Sequence, residues 1–234
     1  CTIYVAKGSR LFSTSDCMRT FDSDAYVDNR SGVNVVQVTA DWFNDKVVWI
    51  GLSNGDVLKS DNGGDTWRTV LKTDEEISGI LIHNKDSRNV LVSTFDKGIW
   101  KTSDGGSNWM ELGDALKDYR GSQKVYSMVQ DKGSSVVIAS TQYGLLRSRD
   151  FGGSWEAISL VTSPGQVAIR AVGMDAQDAD TLYYAAGSTF YSSTDSGVTW
   201  NTQRLPSARV ARAMLVDPSN PAVVYVGVAS ETEK

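Results

Sequence analysis

Hydroxyl, carboxylate, glycine and indole recur at fixed spacing in four octapeptides and, in worn form, in a fifth. Residues 193–200 read Ser-Thr-Asp-Ser-Gly-Val-Thr-Trp, with Asp195, Gly197 and Trp200 at the third, fifth and eighth places. The same places hold Asp150, Gly152 and Trp155, then Asp104, Gly106 and Trp109, and also Asn62, Gly64 and Trp67, where an amide replaces the acid. Residues 14–21 keep Asp16 but put Met18 and Phe21 where the others have Gly and Trp. Carboxylates beside hydroxyls could hold a metal or a polar ligand. Each octapeptide is a whole repeat away from the next, however, and one has lost its charge, so the pattern reads as a local clasp. The hydroxyl and carboxylate bond turn amides. The glycine admits a backbone conformation that a Cβ would hinder, and the indole buries a large ring against a neighbouring element.

Arginine supplies the next candidate chemistry. Arg170 and Arg212 stand at equivalent places in successive repeats, each five residues before an aspartate, Asp175 or Asp217. Facing a common channel they would form an anion-binding or carboxyl-terminus-binding patch, with Arg120, Arg204 and Arg209 on loops that rim it. Tyr119 and Tyr143 read as exposed aromatics available to a partner. A glycoside hydrolase needs two carboxylates about 5–10 Å apart across a cleft. Asp28, Asp74, Glu75, Glu76, Asp114 and Asp118 lie on loops that could supply them, but none sits in a recognisable signature. His83 is the one histidine, which leaves a Ser-His-Asp triad a single option. One His with two Cys makes no tetrahedral zinc set. The Gly-Gly pairs at 63–64, 105–106 and 152–153 lie inside the octapeptides and not ahead of helices, so they are not phosphate cradles. No catalytic residue, cofactor or metal ligand is expected.

The elements that position these groups follow from the spacing. Phe21, Trp67, Trp109, Trp155 and Trp200 are 46, 42, 46 and 45 residues apart, a period that means a propeller, solenoid or array. Within each period the apolar residues alternate in short runs, the pattern of strands. The repeat ending at Trp109 predicts strands at 77–83, 89–94, 99–102 and 108–112. Its neighbours predict 35–39, 47–52, 57–60 and 67–71, then 125–130, 136–140, 145–148 and 155–160, then 169–174, 182–186, 190–193 and 200–204. Four strands in about 45 residues is the size of a propeller blade.

The fold expected is therefore all-β, a single β-propeller domain over 1–234. Its blade units fall near 1–30, 31–74, 75–118, 119–163 and 164–207, with a partial one at 208–234. The terminal blades are incomplete: the first begins with a strand at 2–6, and the last holds only 211–216 and 223–228. Either 211–216 completes the first blade and five blades close, or the edge at 223–228 stays open to a partner, because an unpaired edge strand invites pairing.

The octapeptides resemble the Asp-box, or BNR, motif, and residues 217–227, Asp-Pro-Ser-Asn-Pro-Ala-Val-Val-Tyr-Val-Gly, extend the likeness. The repeat is similar to those of sortilin-type receptors, photosystem II stability/assembly factors and xyloglucan-active glycoside hydrolases, and more distantly to that of sialidases. The resemblance covers nearly all of the chain and implies a propeller whose boxes lie opposite the functional face. It carries over no catalytic residue. The Arg-Ile-Pro element of sialidases is missing, and the xyloglucan enzymes use two propellers where this length suits one.

Formal net charge is −5 over 234 residues, which gives no basic footprint for nucleic acid or an anionic membrane. No apolar run approaches the ~18 residues of a membrane span. Cys1 and Cys17 leave three readings open: a lipid on Cys1 of a surface lipoprotein, a disulfide between the two across a hairpin at 8–9, or two free thiols. The function expected is a non-enzymatic, exported propeller (periplasmic, cell-surface or extracellular) that binds or scaffolds a protein. Self-assembly through the open edge is one form of this, and a lipid on Cys1 would be its sole link to a membrane. The alternative is a carbohydrate-active propeller, either a glycoside hydrolase or a glycan-binding module.

Overall fold

The computed structural model describes residues 2–21 and 24–230. Strands β1 (Ile3–Lys7), β2 (Arg10–Thr14) and β3 (Asp24–Val27) form a three-stranded antiparallel sheet. A four-stranded sheet follows from β4 (Val35–Ala40), β5 (Val48–Leu52), β6 (Asp56–Ser60) and β7 (Arg68–Lys72). The next holds β8 (Ile77–Ile82), β9 (Val90–Thr94), β10 (Ile99–Thr102) and β11 (Met110–Glu111). After the short helix α1 (Gly113–Leu116) come β12 (Val125–Gln130), β13 (Val137–Thr141), β14 (Leu145–Ser148) and β15 (Glu156–Ala157). The last four-stranded sheet is β16 (Ala171–Met174), β17 (Leu182–Ala186), β18 (Thr189–Ser193) and β19 (Asn201–Arg204), and β20 (Val210–Val216) pairs with β21 (Val224–Ala229) in a two-stranded sheet. Every sheet is an antiparallel meander in sequence order, the build of a propeller blade. Three strands, four sets of four, then two is the count that the sequence predicts.

Burial ranks the strands within a sheet. β5, β9 and β13 are buried along their whole length, whereas β11, β15 and β19 are exposed throughout. Sequences such as Val48-Trp49-Ile50-Gly51-Leu52 are apolar on both faces because both faces are covered. Two outer strands are shorter than expected. Trp109 and Trp155 belong to the turns before β11 and β15, and beyond β11 Leu112 leads directly into α1.

The chain divides into two compact units, Cys1–Glu111 and Leu112–Lys234. In the first, one core gathers Leu11, Ile50, Leu52 and Leu58, and another gathers Trp49, Ile77, Ile82, Val90 and Val92. In the second, Ile138, Leu145, Val172, Leu182 and Tyr184 form the main core, with Ala171, Ala185 and Ala211 as a smaller one. First strands of successive sheets pack together within each unit, β4 on β8 in one, and β12 on β16 on β20 in the other.

First strands also carry a recurrent irregularity. The ladder shifts between Val35 and Gln37, between Ile77 and Gly79, between Val125 and Ser127, and between Ala211 and Ala213. A bulge of this kind bends the strand and re-aims one side chain. The residues it sets apart are Val36, Ser78, Tyr126 and Arg212.

Candidate functional site

The octapeptide turns follow β2, β6, β10, β14 and β18 and link each to the next strand of its sheet. In all five the first residue (Thr14, Ser60, Thr102, Ser148, Ser193) is buried. Its hydroxyl donates to the third-place side chain at 2.7–2.9 Å. It also accepts the fifth-place amide at 2.7–3.2 Å. The third-place oxygen in turn accepts the seventh-place amide at 2.8–2.9 Å. These bonds hold Asp16, Asp104 and Asp195 down at about 2, the donors being Thr20 and Thr14, Asn108 and Thr102, and Thr199 and Ser193 respectively. With their oxygens so engaged inside the turn, the carboxylates act as clasps. Asn62 preserves the geometry by reversing one bond: its Nδ2 donates to Thr66 Oγ1 at 3.0 Å, where Thr199 donates to Asp195.

The fifth place has positive φ throughout, from 70° at Met18 to 105° at Gly64. At Gly106 a Cβ would stand 2.8 Å from Trp49 Cη2 on the preceding sheet. The eighth-place indoles also reach backward. Trp67 Nε1 donates to Ala25 O and Trp200 Nε1 to Ser159 O, each at 2.8 Å, and Trp109 meets Trp49 edge to face at 6.2 Å. Only Trp155 of the four is buried; Trp67, Trp109 and Trp200 are partly exposed.

The loop carboxylates divide sharply. Asp28 is buried and gripped by Arg30, which holds Asp56 with its other Nη, both at 2.6 Å. Tyr26 Oη donates to Asp28 at 2.8 Å and Asn54 Nδ2 to Asp56 at 2.9 Å. The Arg30 hydrogen bonds keep the Asp28 carboxyl well below its usual range. At Asp56, burial pushes upward, but Arg30 and Asn54 outweigh it. A general acid must hold its proton near working pH, so neither group is suited to that role. Glu76 behaves in the opposite way, raised by burial and then by the neighbouring Glu75 charge. Asp74 sits in the left-handed region at φ 55°, and Asp114 lies in the first turn of α1.

The second unit brings aromatic and cationic groups together. Tyr143 stands at the β13–β14 turn, fixed by Thr141 Oγ1 donating to Gly144 O at 3.0 Å and by Gly165 N donating to Tyr143 O at 2.9 Å. Tyr119 meets its ring edge to face at 5.2 Å and donates its hydroxyl to Trp155 O at 2.9 Å. A cleft of about 540 Å³ runs beside them, lined by Arg120, Gly121, Gln142, Tyr143, Pro164 and Gly165. Arg120 is exposed, but both tyrosines are half-buried, which corrects their reading as exposed aromatics. Their edge-to-face contact covers part of each ring.

Arg170 precedes β16 by one residue, and its guanidinium lies 5.1 Å from the Tyr126 ring centre, within cation–π range. Arg212 is half-buried in the β20 bulge. Arg209 is an exposed loop residue, but Arg204 lies in β19 opposite Thr189, at the outer edge of its sheet, so it is not part of a rim loop. His83 Nδ1 accepts the Lys85 amide at 3.0 Å. Cys17 is disulfide-bonded, whereas Cys1, with the lipid considered for it, lies outside the described residues. Among the described residues no group of three or more His, Cys, Asp or Glu could hold a metal, and no helix is long and apolar enough to cross a membrane.

Two exposed aromatics escaped the sequence reading. Trp42 and Phe43 are 52% and 65% exposed in the β4–β5 turn, where Trp42 Nε1 donates to Ile82 O at 3.0 Å. The corresponding turns read His83-Asn84-Lys85, Asp131-Lys132-Gly133 and Asp175-Ala176-Gln177, so the aromatic pair is a departure visible in sequence.

No family model and no curated protein matches the chain. Solved structures do. A GH74 enzyme of Niastella koreensis is 16% identical, with a TM-score of 0.78, over 96% of this chain and 42% of its own. YCF48 from Cyanidioschyzon merolae is 14% identical, with a TM-score of 0.64, over 93% of this chain and 70% of its own. A structure of YCF48 bound to D1 peptide is 14% identical, with a TM-score of 0.50, over 96% of this chain and 86% of its own. The chain thus spans less than half the length of the GH74 enzyme. At such identities the likeness is one of fold, and together with the sheets it shows an all-β propeller of four-stranded blades with incomplete terminal ones.

Proposed function

We propose that the chain is a non-enzymatic Asp-box propeller that binds a protein segment through the cleft beside Tyr119, Arg120 and Tyr143. The observation that carries this reading is Tyr143, held by its ring contact with Tyr119, lining a cleft that also holds an exposed arginine. Tyr and Arg are the residue types that dominate protein interfaces, because each joins a broad contact surface to directional polar groups. Gln142 adds an amide that can pair with a peptide backbone. Support from outside the chain is limited to fold: YCF48 has been solved with a peptide bound. The disulfide at Cys17 suits an exported protein in an oxidising compartment.

The test is a displayed peptide library selected on the intact protein and re-screened against Tyr143→Ala and Arg120→Glu. Selected peptides should bind at least about tenfold more weakly to both variants, the loss expected for interface anchors. Failure to enrich any peptide, or binders indifferent to both substitutions, would remove the reading.

A second reading, carbohydrate-active, is favoured by one observation: Glu76 is a carboxyl held up by burial. Turnover in a hydrolysis screen on β-glucans that disappears in Glu76→Gln would replace the binding reading with this one.

A further inference from the structure

We propose that a partner peptide pairs backbone to backbone with the stretch that follows β15, as an added β-strand of about five residues. This rests on the peptide-binding reading above and names the form in which the peptide is held. β15 and β16 are joined by residues 158–170, which contain no strand or helix. The segment is tied twice to the β13–β14 turn and the start of β14. Ile158 N donates to Leu145 O at 3.0 Å and Gly165 N to Tyr143 O at 2.9 Å. The acceptors are two residues apart and the donors seven, so the stretch between the ties bows away from the sheet. A cleft of about 390 Å³ lies there, lined by Tyr143, Gly144 and residues 157–164. Trp200 Nε1 adds a third tie, donating to Ser159 O at 2.8 Å. All of these groups belong to the second unit, and the sheets before and after the segment each have four strands.

The bowed stretch has the marks of a strand. Burial alternates along it: Ser159, Val161 and Ser163 are exposed, whereas Leu160 and Thr162 are half-buried. That is the period of two that extended backbone imposes. Pro164 favours the extended region for Ser163 before it. Among the described residues neither the N–H nor the C=O of Leu160 or Thr162 has a partner. Residues two apart on extended backbone direct both groups to the same side, so these unpaired groups share one edge. Native sheets protect such edges with charged side chains or with a covering element. Here no charged residue stands between Glu156 and Arg170, and the edge is open to strand addition. The same lack of charge defines the ligand. Its paired stretch is uncharged, since a charged side chain would meet no countercharge along the segment. Five extended residues cover about 16 Å, which sets its length. Tyr143 and Pro164 also line the cleft that holds Arg120, so the added strand and that cleft adjoin.

The test uses peptides selected on the intact protein from the displayed library. Each is resynthesised with one backbone amide N-methylated at a time, which removes a donor and leaves every side chain in place. Affinity should fall about fivefold or more at alternate positions and hold at those between, the period that strand pairing imposes. On the protein, Thr162→Pro deletes the Thr162 N–H and should weaken binding by a similar factor, whereas Thr162→Ala keeps that N–H and should not. An unchanged thermal midpoint shows that Thr162→Pro is folded; if it is not, the N-methyl series on the wild type decides alone. Losses at every position, or at none, overturn the added strand, even where Tyr143→Ala and Arg120→Glu abolish binding and the peptide reading stands. A library that yields no peptide removes both.

Discussion

The octapeptide turns and the segments around Arg30 both carry aspartates, yet they satisfy them by different means. Asp104 and Asp195 are bonded within their own turn, by a hydroxyl two residues before and by amide and side chain four residues after. Asp28 and Asp56 depend on Arg30, which reaches across 26 residues to the second of them. The first arrangement recurs, with small variations such as the reversed bond at Asn62, because it needs only eight residues to agree. The second occurs once among the described residues, because it needs a loop and the start of a distant strand, β6, to meet. Repeated local chemistry here builds the scaffold, and the unrepeated contacts mark where one blade differs from another.

Gly106→Val should strike the repeated side hardest. It forces a β-branched residue to φ 93° and sets a Cβ 2.8 Å from Trp49, so a loss of about 2–5 kcal/mol is expected in urea unfolding. Gly105→Ala is the control. Its φ is 71° and its nearest neighbour is Lys59 Nζ at 3.7 Å, so only the conformational cost of about 1–2 kcal/mol remains. Equal losses would mean that packing against Trp49 contributes nothing.

Arg30→Met probes the unrepeated side and leaves two buried carboxylates without their cation. Breaking a buried pair costs about 3–5 kcal/mol, but the Arg30 side chain is 49% exposed, so water screening brings the expectation to about 2–3 kcal/mol. Replacing Arg30, Asp28 and Asp56 together by Met, Leu and Leu should recover most of that loss in the same assay; no recovery would show that the charges themselves are needed.

Thr102→Val is milder. It strips the buried Gly106 amide of its acceptor and should cost about 1–3 kcal/mol, read as a lower thermal midpoint.

Smallest is the effect of acid. Asp16, Asp104 and Asp195 titrate near 2 in the folded chain and near 4 when unfolded. Their contribution is therefore fully present above about pH 4 and is lost as pH falls from 4 towards 2. The triple Asn variant should differ from wild type in urea midpoint at pH 5 and converge on it near pH 2. A gap that stays constant across that range would exclude titration as its source.

What could be read from the sequence follows the same division. The period, the strand count and the clasp were legible because hydroxyl, acid, glycine and indole sit within eight residues of one another. Asn62 was visible as an exception, but its reversed bond to Thr66 needed the coordinates. The burial of Tyr119 was not legible, since its acceptor, Trp155 O, lies 36 residues on. Arg204 was assigned to a rim loop although the predicted strand 200–204 already reached it, and its pairing with Thr189 bears out the strand. The ion-paired Asp28 looked like any loop carboxylate until Arg30 was seen to bridge it to Asp56. Trp42 and Phe43 were legible in principle, as an aromatic pair where the equivalent turns are polar.

The meander topology bears finally on how such a chain reaches its native state. Among the described residues all ladders join strands adjacent in sequence, and no register partners lie farther apart along the chain than Val210 and Ala229. Bringing such close partners together costs little loop-closure entropy, and that cost grows only slowly with loop length. Each sheet can therefore assemble from its own residues before it docks on the next, and a repeat gained or lost by duplication leaves the remaining ladders intact.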